Sequence, residues 1–146
     1  MTENEVIKGV ENYLLQKGRT ENKKVRISVD AEKMQHGVDL FVTLGNNRYF
    51  VEAKGSVRSN GEPMRSQFNT NFRWAISQII LRITTDPTNY ANIYAIAVPE
   101  AQIEKCKKLI HKNVALKMLK IRLFGVFRME SGELFAKEYT PKDIYD

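Results

Sequence analysis

From Val38 to Lys54 the chain alternates between side chains suited to opposite faces of a strand, broken only around Gly45, Asn46 and Asn47. Successive strand residues point to opposite faces. Val38, Leu40, Val42 and Leu44 therefore share one face, with Asp39, Phe41 and Thr43 on the other. In the second run Tyr49, Val51 and Ala53 oppose Phe50, Glu52 and Lys54. A two-residue turn at Asn46-Asn47, where both residues tolerate the positive φ of a type I′ turn, predicts that Gly45 pairs with Arg48. Asp39 then faces Lys54, Phe41 faces Glu52, and the polar groups lie on one face. A three-residue turn would send Glu52 to the other.

In that register Asp39 and Glu52 are diagonal neighbours, roughly 7 to 8 Å apart. Mg²⁺, or Mn²⁺ in its place, takes oxygen ligands at about 2.0 to 2.1 Å and keeps several waters, so two carboxylates suffice. The carbonyl of Ala53 offers a further oxygen. The Lys54 ammonium would hold or help deprotonate an attacking water and offset charge building on a phosphate. The competing reading is a solvated ladder of cross-strand ion pairs, which contributes little. Phe41 and Phe50 beside the polar groups point instead to a half-buried face.

The arrangement resembles the PD-(D/E)xK nuclease superfamily, which includes restriction endonucleases, archaeal Holliday-junction resolvases and RecB-like nucleases. The matching residues are Asp39, the triplet Glu52-Ala53-Lys54, and Gln78 on a following helix; Val38 stands where the superfamily's name has proline. Gly37-Val38-Asp39-Leu40, Glu52-Ala53-Lys54-Gly55, Gln78 and Ala95-Ile96-Ala97-Val98-Pro99 are similar to small XisH-like excision-controlling proteins, which are linked to mobile-element rearrangement. The resemblance spans roughly residues 3 to 98. It implies an α/β restriction endonuclease-like core (αβββαβ), a central mixed sheet of four or five strands flanked by helices. It also implies Mg²⁺-dependent hydrolysis of DNA phosphodiesters, with Asp39, Glu52 and Ala53 on the metal and Gln78 orienting water or phosphate. An acid on the first helix commonly joins such sites. Glu5 and Glu11 compete for that role, and Glu5 is chosen. The aromatic that follows the glutamine in RecB-like members is replaced by Arg82, which suits phosphate contact.

An acid-x-lysine triplet arises by chance about once or twice in a chain like this. Glu21-Asn22-Lys23 is an internal control: it has the same form but lies in a polar turn with no upstream Asp.

Residues 3 to 17 read as a helix capped by Thr2, with Val6, Val10, Tyr13 and Leu14 as its apolar stripe and Gly18 ending it. Lys24 to Val29 reads as an entry strand. Gly55 to Asn71 reads as a loop whose Arg58 and Arg65 are placed to hold nucleic-acid phosphates. Phe72 to Thr84 reads as a second helix with Phe72, Ile76, Ile79, Ile80 and Ile83 inward and Trp74 in the core or at its rim. Asp86-Pro87 breaks the chain before a buried strand at Ile93 to Val98, which Pro99 stops. A third helix is expected from Ala101 to Lys117, then strands at Ile121 to Met129 and Leu134 to Tyr139.

The 146 residues fit one domain, 1–146. A net charge of +6 and pI near 9.4 favour a polyanionic partner, here DNA. A single cysteine and two distant histidines, His36 and His111, exclude a disulfide framework and a zinc cluster. The charged N-terminus and the lack of a long apolar run predict a cytoplasmic protein with no membrane span. Two functional classes follow: a Mg²⁺-dependent endonuclease, which as a homodimer could cut both strands, and a non-catalytic DNA-binding accessory of a recombination or mobile-element complex.

Overall fold

The computed structural model describes residues 1–28, 37–58, 60–63, 68–83 and 91–146. Helix α1 (Glu3–Thr20) is followed by β1 (Val25–Ile27), β2 (Leu40–Leu44), β3 (Asn47–Ala53), α2 (Phe68–Ile83) and β4 (Ala91–Pro99). A single turn of tighter helix at Glu100–Gln102 leads into α3 (Ile103–Ile110), α4 (Val114–Met118), β5 (Arg122–Arg128), β6 (Leu134–Tyr139) and α5 (Pro141–Tyr145). The chain is thus α/β.

Among the described residues the strands form one mixed sheet in sequence order, β1 to β6, six strands rather than four or five. The first three make an antiparallel meander, β3, β4 and β5 run parallel, and β6 turns back antiparallel. Strands β3 and β4 are buried along most of their length because both faces are covered. On one face α1 lays Val6, Val10 and Leu14 against Leu40, Val51 and Ala97. On the other, α2 packs Phe72, Ala75 and Ile79 against Phe41, Phe50 and Ile96, and α3 to α5 extend that layer.

The expected helix from Ala101 to Lys117 is two helices. Asn113 accepts the backbone N–H of Leu116 at 2.9 Å and so caps α4, restarting the helix where a continuous one was expected. Gly18 lies inside α1 rather than ending it. A Cβ there would collide with Val25, so this glycine serves close approach of helix to strand. The entry strand is shorter than expected; Val29 and Asp86-Pro87 lie outside the described residues. Helix α2 begins at Phe68, four residues early, and Ile80 is 40 % exposed. Trp74 is neither core nor rim, being 63 % exposed. The terminal α5 was not foreseen, although Thr140 and Asp143 form a reciprocal capping box ahead of it, with Pro141 in its first turn.

Candidate metal and phosphodiester site

The β2–β3 hairpin turns at Gly45-Asn46 rather than Asn46-Asn47. Gly45 takes φ 57°, and Leu44 pairs with Asn47, Phe41 with Phe50 and Leu40 with Val51. This register is shifted by two residues from the expected one, so every side chain keeps its face. Its consequence is a tighter site: one step beyond the last pair, Asp39 stands opposite Glu52 rather than Lys54. The Asp39 carboxylate accepts the backbone N–H of Ala53 at 2.8 Å, fixing it against the end of β3.

Glu52 and Lys54 follow Phe50 on the face covered by α2. Glu52 is only 3 % exposed. Burial, then the charge of Asp39 and a hydrogen bond with it, push its carboxyl up to about 8, against partial relief from Lys54.

The helix acid that joins them is Glu3, not Glu5. Its carboxylate lies 4.0 Å from the Lys54 ammonium. Its pKa is raised, first by burial and then by Asp39. Glu5 is occupied elsewhere: it closes the capping box with Thr2, accepting the Thr2 N–H at 2.7 Å, and pairs with Arg128. The Thr2 backbone hydrogen bond is the main reason its pKa is lowered. Gly55 makes the approach of α1 possible. A Cβ on it would stand 2.6 Å from the Glu3 nitrogen and 2.7 Å from the Thr2 carbonyl carbon. The N–H groups of Ser56 and Val57 bond the Met1 carbonyl at 2.9 and 3.2 Å, holding the first turn at the end of β3.

Other expected contributors are more dispersed. Gln78 is exposed on α2 and makes no hydrogen bond to Asp39, Glu52 or Lys54. Arg82, one turn further on, lies against Gly37, where any Cβ would strike its guanidinium. That places a cation two residues from Asp39. Arg58 is exposed, in a short loop closed by its N–H to the Glu62 carbonyl at 2.8 Å. Arg65 and His36 lie outside the described residues.

Among the described residues no group of three His, Cys, Asp or Glu side chains is placed to hold a metal ion. The donors present are all oxygens: Asp39 and Glu52, the Ala53 carbonyl beside them, and Glu3 at the edge. Such a set suits a hard cation that keeps its own waters. The electrostatics point the same way, because three acids face one lysine and the most buried of them is held protonated into the neutral range. A divalent cation between Asp39 and Glu52 would let both ionise.

Comparisons with protein-family models, with curated proteins and with solved structures find no match.

Proposed function

We propose that this chain is a Mg²⁺-dependent endonuclease that hydrolyses DNA phosphodiesters. The observation that carries the reading is the buried Glu52 carboxylate directly beside Asp39 at the end of β3, with Lys54 on the same face. Two carboxyls set side by side, one of them buried, are costly to ionise together, and a structural ion-pair ladder has no use for that arrangement. It is what a cation site requires. In support, the order helix, three-stranded meander, helix, strand from Glu3 to Pro99 is that expected of a restriction endonuclease-like core.

Asp39, Glu52 and the Ala53 carbonyl would hold the metal, which supplies Lewis-acid polarisation of a phosphate oxygen and a water more easily ionised. Lys54 sits where it can orient that water and stabilise developing charge. Glu3, bridged to Lys54, positions the ammonium. Arg82 and Arg58 offer charge to the flanking phosphates.

The test is calorimetric titration of Mg²⁺ or Mn²⁺ into wild type and Glu52→Ala, with cleavage followed on plasmid, junction and single-stranded DNA. Binding and cleavage in wild type, both lost in Glu52→Ala, are expected. Lys54→Ala should lower cleavage by at least about 100-fold while leaving DNA binding nearly intact. DNA binding by a wild type that takes up no metal and cuts nothing would favour the accessory role. Cleavage that survives in both Asp39→Ala and Lys54→Ala would reject the site.

A further inference from the structure

We infer that the outer face of α2 binds single-stranded nucleic acid, with Trp74 as a base-stacking platform. Trp74 is 63 % exposed on a helix whose other face is buried in the core, and a free indole in water is an unusual use of the most stackable side chain. Trp74, Gln78 and Arg82 recur every fourth residue and so form one stripe. From Trp74 to Arg82 the helix rises about 12 Å, within the footprint of short single-strand sites. The stripe ends beside Gly37, two residues from Asp39, because the Arg82 guanidinium lies against that glycine.

Charge selects the occupant. Between Phe68 and Ile83 the only ionisable side chains are Arg73 and Arg82, so the helix carries two positive charges and no acid. A second copy docking the same face would set these arginines against one another. A polyanion would be attracted, and unpaired bases offer the aromatic faces that an indole stacks on, whereas in a duplex those faces are already covered. The direction of the strand, from Trp74 toward the carboxylates, rests on the nuclease reading; the stacking itself does not.

Trp74 is the sole tryptophan, so its emission reports this face alone. The experiment titrates a twelve-nucleotide oligothymidylate, and a duplex of equal length, into the whole chain in EDTA, following tryptophan emission and the anisotropy of labelled strand. Saturable quenching by the single strand and little by the duplex is expected. Trp74→Ala should weaken oligothymidylate binding by about 5- to 100-fold, and Trp74→Phe should restore most of it. Affinity unaltered in Trp74→Ala, or an absence of quenching on binding, would overturn the inference. So would a dimer in sedimentation that Trp74→Ala dissolves, since the face would then pair two copies. Cleavage of single strands without quenching would sink this inference and leave the nuclease reading standing. Quenching with no cleavage in Mg²⁺ would do the reverse.

Discussion

Glu52 is an acid that the fold nearly removes from water and sets opposite another acid. Its effect on stability has a definite sign. In the unfolded chain a glutamate gives up its proton near the ordinary value of 4.5, whereas here burial and Asp39 hold it to about 8. Between those values the unfolded state binds fewer protons than the folded one, so stability falls as pH rises. In EDTA the Tm should therefore decline between about pH 5 and about pH 8, and Glu52→Gln should flatten that decline. Mg²⁺ should raise the Tm more at the alkaline end, because binding there displaces no proton. A pH-independent Tm in wild type would remove the premise of a charged, buried pair.

The first turn of α1 meets the end of β3 only because residue 55 has no side chain. A methyl group there would contact backbone atoms of Thr2 and Glu3, which cannot rotate away as a side chain can. Gly55→Ala should cost about 1 to 3 kcal/mol, read as a Tm lower by several degrees. It should also weaken Mg²⁺-dependent cleavage beyond what its stability loss explains, since Glu3 and Lys54 would be drawn apart. Gly18→Ala makes the contrast. Its added methyl meets the Val25 side chain and the Lys23 carbonyl, at the opposite end of α1 from Glu3, so it should destabilise while leaving metal affinity unchanged.

Taken whole, the molecule carries a surplus of six positive charges, and the sequence of α2 contains arginines but no acid. If phosphates are held by Arg58 and Arg82, each neutralised phosphate releases counterion, and affinity must fall steeply with salt. Oligothymidylate binding should drop by about tenfold or more between about 50 and about 200 mM salt, equally in wild type and Lys54→Ala. A nearly flat salt response would mean that binding, if present, does not rest on phosphate contacts.

The sequence by itself determined the strands and faces of the hairpin, because period-two alternation is a local property that survives an error in the turn. The expected turn was one residue late, yet parity was preserved and Asp39, Glu52 and Lys54 still shared a face. The fate of Glu5 was also legible: Thr2 followed three residues later by Glu5 is a capping-box signature, and that geometry consumes the carboxylate. The sequence did not disclose that Glu3 would reach Lys54, for that contact joins residues fifty-one positions apart and depends on how closely Gly55 lets a helix approach. Nor did it reveal that Trp74 would lie outside the core, because helical periodicity leaves open which of two neighbouring apolar stripes turns inward. Only the packing of α2 against β3 and β4 decided it, choosing Phe72, Ala75 and Ile79 to face the sheet and leaving the indole in solvent.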